Sequence, residues 1–376
     1  MYKDLNHLNK EQIEDLMARY YACESVKKLI SAFKLDVYPS ALYKLFPPAE
    51  YDNYSCEYCG NVLVLDRPSK ESQRYERDLY CPACGHKPYC NPPCQCENCK
   101  QAQQELKEYQ LELIKTTYMQ PREQVSFEEL SFENKVLLGA LCRVLLRENL
   151  YEISPYTDIH MPLAPTDELK KQIYDDLIHE HIIMVSPTSS LEAFDTEHEN
   201  FPDVFFIYRA TYNLNLEFPA NKQDLFTKIL SPTYYGKEFE EEARILWQKI
   251  AVAECVEYLI YQLENVGFVF TPGEKTYKTF EIILEDFSVS QVYGIIWKAV
   301  ADASKLYLEK GMSKNHAANT TISACERYAE RAKINGWDLK GYSRIKELPQ
   351  SALSLFFFNR VLEIGDMGFK LPPTIA

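Results

Sequence analysis

Glycine is scarce in this chain, with 12 in 376 residues. No glycine-rich phosphate loop occurs, and neither do a GxSxG elbow, a kinase signature or an HExxH pair. The enzyme classes that those motifs define are therefore not indicated. Long hydrophobic runs are also missing. The longest apolar stretch, Leu137–Leu146, is interrupted by Arg143 and falls well short of the roughly 20 residues that span a bilayer. No apolar run follows Met1-Tyr-Lys-Asp-Leu-Asn, so no signal peptide is expected. These absences lead to the expectation of a soluble, cytoplasmic protein with no membrane contact. There is no internal repeat and no low-complexity segment, and 27 tyrosines and 19 phenylalanines argue against extensive disorder. The length suggests two or three domains.

Charge is unevenly spread. The net charge is −14. Residues 1–100 hold 13 Lys+Arg against 14 Asp+Glu, and residues 101–376 hold 28 against 41. The C-terminal part as a whole would repel a polyanion, which leaves residues 1–100 as the place for DNA or RNA contact.

Eight of the 12 cysteines fall between Cys56 and Cys99. Cys56-Glu-Tyr-Cys59-Gly60 and Cys81-Pro-Ala-Cys84-Gly85 share the form C-x-x-C-G. Two intervening residues let both thiolates face one ion across a tight turn, and the glycine supplies the backbone freedom that turn needs. The residues between Cys59 and Cys81 suit a β-hairpin, with Asn61–Leu65 outgoing and Asp78–Tyr80 returning. This pattern resembles the zinc-ribbon family over residues 54–86. A second cluster follows, in which His86, Cys90, Cys94, Cys96 and Cys99 offer five donors for four positions. The economical set is Cys90, Cys94, Cys96 and Cys99, and the rival set uses His86 in place of Cys90 or Cys94. Two structural zinc ions are expected, both in closed sites. Cys23, Cys142, Cys255 and Cys325 stand alone in helical, apolar contexts and read as small buried hydrophobes.

Upstream, Glu11–Ala22 and Glu24–Phe33 read as helices, Lys34–Val37 as a turn without glycine, and Tyr38–Phe46 as a further helix with Pro39 in its first turn. The stretch Ser25-Val-Lys-Lys-Leu with Ser40-Ala-Leu-Tyr43 resembles the helix-turn-helix of resolvases and transposases. The resemblance implies that Ser40, Tyr43 and Lys44 face DNA from the second helix. Lys27, Lys28 and Lys34 would then lie near phosphates. Arg67, Lys70, Arg74 and Arg77 in the ribbon hairpin add a basic patch, diluted by Glu71, Glu76 and Asp78.

Downstream, residues 101–118 read as one long helix and Met119–Val125 as a linker. Ser131-Phe-Glu-Asn starts a helix, Pro165-Thr-Asp starts another over 167–180, and His181–Pro187 and Val204–Leu216 read as strands. That order is the order of a winged helix, whose second helix here is acidic (Asp167, Glu168, Asp175, Asp176, Glu180) and suits protein contact rather than DNA. Helical periodicity continues through Glu238–Glu264, Tyr277–Glu309, Asn315–Asn335 and Leu348–Ile364. His179 and His181 do not share a helix face, so they form no metal pair. The apolar run from Leu353 reads as a core helix or an interface.

The expected fold is mainly α with small β elements. It comprises a helix-turn-helix (1–53), a zinc-binding module of ribbon plus second cluster (54–100), a connecting helix and linker (101–125), a winged-helix-like domain (126–218) and a helical domain (219–376). The leading functional expectation is a zinc-containing, nucleic-acid-binding regulatory or sensor protein of a mobile-element or antiviral host-defence setting. It would bind a protein partner, or itself, through residues 126–376. The alternatives are an interaction scaffold with structural zinc only, and an enzyme whose site is assembled from scattered C-terminal residues.

Overall fold

The computed structural model describes residues 2–72, 78–157, 161–232 and 239–373. The chain is mainly helical with two small sheets. It divides into two compact units, residues 1–110 and 111–376. Among the described residues no helix is long and apolar enough to cross a membrane.

The first unit opens with helices α1 (Lys10–Tyr21) and α2 (Val26–Ala32). Asn9 caps α1 in a reciprocal box, its side chain accepting from the Gln12 amide at 2.8 Å while Gln12 Oε1 accepts from the Asn9 amide at 2.9 Å. The third element differs from expectation. Pro39–Leu45 is a seven-residue 3₁₀ helix, not an α-helix. Pro39 fixes its start, and Pro47 and Pro48, which lack N–H donors, follow directly. Too few residues remain to propagate i→i+4 bonding. Leu16, Leu29, Leu35 and Leu42 are fully buried and form the centre of these three elements with Phe46.

Strand β1 (Ala49–Ser55), which the sequence reading did not anticipate, leads into the first cysteine pair. It pairs antiparallel with β2 (Val62–Leu65), Ala49 opposite Leu65, with an irregularity before Ser55. Val64 exchanges backbone hydrogen bonds with Tyr80 on its other side, so the expected return strand contributes a single bridge. The hairpin is fastened to the helices by side chains. Tyr21 donates to the Pro68 carbonyl at 2.7 Å, and Arg67 Nε to that of Pro47 at 3.1 Å. Lys70 donates to the Glu24 carbonyl at 3.0 Å, its ammonium 4.7 Å from the Tyr20 ring centroid. Cys23 is exposed and takes a left-handed backbone conformation after α1, and is not the buried hydrophobe expected. Helix α3 (Glu97–Tyr118) leaves the cysteine-rich segment and extends past residue 110.

The second unit contains α4 (Phe132–Leu145), β3 (Glu152–Ile153), α5 (Asp167–His179), β4 (Ile183–Val185) and β5 (Tyr212–Leu214). The strands form an antiparallel sheet in the order β3-β5-β4. The expected strand over Val204–Leu216 shrinks to β5, because Val204–Ala210 turn repeatedly to bury Phe205 and Tyr208 partly beside Phe194 and Tyr174. Helices α6 (Lys222–Leu230), α7 (Glu240–Asn265), α8 (Glu274–Leu284), α9 (Val289–Lys310) and α10 (Lys314–Ile334) follow. The periodicity over Tyr277–Glu309 is cut at Glu285–Ser288, where Ser288 makes a capping box with Gln291 and restarts the chain as α9. The run from Leu348 breaks into α11 (Ala352–Phe356), a π-turn (Phe357–Val361) and, further on, α12 (Met367–Lys370). One contiguous core extends from Ile114 to Phe369, so residues 126–218 and 219–376 share it. Cys142, Cys255 and Cys325 are buried within it.

Candidate metal centres

The two C-x-x-C-G knuckles adopt the same backbone. Gly60 N–H donates to the Cys56 carbonyl and Gly85 N–H to that of Cys81, both at 2.9 Å. Cys56 N–H donates to the Asn61 carbonyl and Cys81 N–H to that of His86, both at 2.8 Å. Gly60 (φ +70°) and Gly85 (φ +72°) are left-handed, where a side chain would strain the turn. Position five after the first cysteine, Asn61 or His86, is thus held beside its own knuckle.

The knuckles meet to form the first centre. Cys56, Cys59, Cys81 and Cys84 place their sulfurs within 4.8 Å of one another. Cys59 Sγ lies 3.3 Å from Cys81 Sγ and 3.8 Å from Cys84 Sγ, and Cys56 Sγ lies 3.6 Å from Cys84 Sγ. A disulfide needs about 2.05 Å, and all 12 cysteines are free. Asn61 Nδ2 donates to Cys59 Sγ at 3.3 Å. That bond, with the Asn61 backbone N–H, pulls the Cys59 thiol down to about 6.

His86, Cys94, Cys96 and Cys99 form the second centre, again within 4.8 Å. Of the two sets that the sequence left open, this is the one with His86 in place of Cys90. Cys90 turns away and donates to the Lys87 carbonyl at 3.2 Å. His86 is buried at 4% exposure, with Nδ1 lying 3.2 Å from Cys99 Sγ and 3.9 Å from Cys96 Sγ. Burial works against ionisation of Cys94, but the backbone N–H groups of Cys96 and Lys87 outweigh it and bring that thiol down to about 6. Burial and the neighbouring thiols push Cys99 up to about 11. Each centre thus mixes thiols that ionise readily with thiols held protonated by crowding, the state that a cation at the centre of the four donors would relieve.

Three residues at these centres escaped the sequence reading: Glu57, Tyr58 and Asn61. The signal for Asn61 was its equivalence to His86 one residue beyond each knuckle glycine. No family model, curated protein or solved structure matches this chain.

The proposed nucleic-acid residues are scattered. Ser40, Lys27, Lys28, Lys34 and Lys44 are exposed. Tyr43, expected to face outward, is half-buried against the helical core because the tighter 3₁₀ turn rotates it inward. Arg67 is half-buried and engaged with Pro47. Arg74 and Arg77 lie outside the described residues.

Proposed function

We propose that this chain is a zinc-binding regulatory or sensor protein whose first unit contacts DNA or RNA and whose acidic second unit contacts protein. The observation that carries the proposal is the pair of four-donor centres built into a unit of nearly balanced charge, beside a set of exposed lysines. A tetrahedral zinc with Zn–S of 2.3 Å requires sulfur–sulfur edges of about 3.8 Å, and a histidine nitrogen at 2.0–2.1 Å requires N–S edges of about 3.6 Å. The 3.3–3.8 Å sulfur separations lie at or below the first value, and the 3.2 and 3.9 Å His86 separations bracket the second. Four thiolates, or three with an imidazole, favour zinc over oxygen-seeking cations. With four protein donors each, both centres are structural in type.

Lys27, Lys28, Lys34 and Lys44 are the cations that this reading assigns to phosphate. The resemblance to a resolvase-type helix-turn-helix is weakened by the 3₁₀ form of Pro39–Leu45, so we assign those lysines backbone contact rather than base readout. The helix–strand–helix–strand–strand order and the β3-β5-β4 sheet support the winged-helix reading of residues 126–218. The carboxylates of its α5 direct that domain to protein. A scaffold with structural zinc only is the second reading, favoured by the engagement of Arg67 and Lys70 with the Pro47 and Glu24 carbonyls. A gel shift of the full chain on DNA and RNA at 50 mM salt separates the two. The first reading expects retardation that fades as salt rises and is reduced in Lys27→Glu/Lys28→Glu/Lys44→Glu. No retardation of any probe leaves the scaffold.

A further inference from the structure

The two residues inside the first knuckle face the second centre. Glu57 and Tyr58 lie between Cys56 and Cys59. His86 Nε2 is buried without a hydrogen-bond partner, and Glu57 Oε1 stands 3.1 Å from it. The Tyr58 ring meets the His86 ring edge-on at 4.9 Å between centroids, and its hydroxyl hydrogen-bonds Cys99. His86 itself belongs to the knuckle that supplies Cys81 and Cys84. Two first-centre turns thus supply one ligand of the second centre and position two. The remaining ligands, Cys94 and Cys96, lie on a segment without helix or strand, held by Lys87 and Cys96 N–H bonds to Cys94. The dependence is one-sided: among the described residues Cys94 and Cys96 hydrogen-bond to Lys87, to each other and to His86, and not to the first four cysteines or Glu57.

We infer that zinc loads in order, the first centre organising the second, and that the His86/Cys94/Cys96/Cys99 centre is the exchangeable one, with Glu57 as its positioning residue. A carboxylate oxygen 3.1 Å from Nε2 favours the tautomer that carries its proton there and leaves the Nδ1 lone pair to the metal. Loss of such a partner typically lowers metal affinity 10–100-fold. Glu57 has a 66% exposed side chain, so its replacement leaves the packing intact. Tyr58 reinforces the arrangement from the other side of the ring. A chain with this hierarchy has a partly loaded state in which the ribbon is folded and the second centre is empty, which is what a zinc-responsive regulator requires. The inference rests on the zinc reading above.

The test is metal content together with chelator competition on the full chain, using cobalt(II) to tell S₄ from S₃N sites by their visible bands. Wild type is expected to hold two ions, released by a chromogenic chelator in two steps, with the S₃N band leaving first. Cys96→Ser should keep one ion with an S₄ spectrum. Cys59→Ser should lose both. Glu57→Ala should weaken only the S₃N step, by 10–100-fold, and Glu57→Gln, which retains an acceptor, should recover part of that loss. Wild-type affinity at both sites in Glu57→Ala overturns the positioning role of Glu57, and an S₃N site surviving intact in Cys59→Ser overturns the ordered loading; either result leaves two zinc sites. Folded wild-type protein without bound metal overturns the zinc reading itself.

Discussion

The two units hold together by different means. The second has one apolar core from Ile114 to Phe369, with α7, α9 and α11 contributing fully buried Ile250, Val292 and Leu353. The first has a small leucine cluster under its helices and a second cluster around the hairpin in which Cys56 and Cys81 are themselves core residues beside Leu63, Leu65 and Leu79. A segment this short cannot bury enough surface to offset its conformational entropy alone. In the second unit sequence drives burial directly. In the cysteine-rich segment burial brings eight cysteine and histidine donors together in two clusters that could each hold a cation.

The largest effect that sharpens this contrast is metal removal. Structural zinc in small peptides contributes about 10–16 kcal/mol of folding free energy per site. A strong chelator, or Cys59→Ser, should therefore unfold residues 49–100 and leave residues 111–376 folded. Limited proteolysis read by mass spectrometry should show cuts between residues 55 and 96 and a resistant C-terminal fragment. Equal resistance of both regions in metal-free protein would erase the distinction.

The converse perturbation acts on the second unit. Glu254 on α7 is 2% exposed, and its carboxylate accepts from Arg344 Nη2 at 2.9 and 3.0 Å and from Ser354 Oγ at 2.8 Å. Arg344 also lies 4.3 Å from the Phe369 ring centroid. Arg344→Ala strands a buried charge and should cost about 3–5 kcal/mol. The pair Arg344→Met/Glu254→Met should recover most of it, because replacing both partners removes the desolvation cost with the attraction. Thermal unfolding of the C-terminal transition measures both, and zinc content should not change in either. A double mutant no more stable than the single would assign the loss to packing of the Arg344 stem.

Packing gives a smaller effect. A Cβ on Gly139 of α4 would lie 2.3 Å from Phe356 Cζ and 2.8 Å from the Ile229 carbonyl oxygen. Gly139→Ala should destabilise the second unit by about 1–3 kcal/mol through overpacking. Gly139→Ala with Phe356→Leu tests whether the ring is the obstacle, since the shorter side chain should return part of the loss.

How legible these features were depends on the range of the interactions involved. C-x-x-C-G is a local solution to holding two thiolates, so Cys56, Cys59, Cys81 and Cys84 could be read from spacing. The second centre was ambiguous because five donors crowd 14 residues. The choice of His86 over Cys90 was made by a backbone bond from Cys81 N–H to the His86 carbonyl, which spacing does not encode. Strand β1 lies between Pro48 and Cys56, with Asp52 and Asn53 breaking its β pattern, and it exists because β2 offers it a partner. Helices with strong apolar periodicity were legible. Their ends were set by caps such as Ser288 and by the π-turn at Phe357–Val361, and short strands such as Glu152–Ile153 were set by sheet neighbours far along the chain.

The last expected effect concerns pH. Glu257, three positions past the Glu254 that pairs with Arg344, is raised from the usual carboxylate range to about 8 by burial first and by the neighbouring Glu254 charge second, with Arg344 opposing. The folded chain therefore holds a proton on Glu257 at pH values where the unfolded chain has lost it. Stability from this group is complete below the unfolded value of about 4.3 and declines as pH rises from there toward 8, because over that window the folded state binds more protons than the unfolded state. Glu257→Gln keeps the shape and removes the titration, so the C-terminal transition of the variant should lose less stability than wild type between pH 5 and pH 8. Metal held by the two clusters would change in the opposite sense over the same window, since binding through thiolates releases protons and favours higher pH. Denaturant unfolding monitored separately for the two units should thus show the second unit weakening, and the first strengthening, as pH rises. If the Glu257→Gln slope matches wild type, Glu257 is ionised in the folded protein and the opposition between the units rests on the metal centres alone.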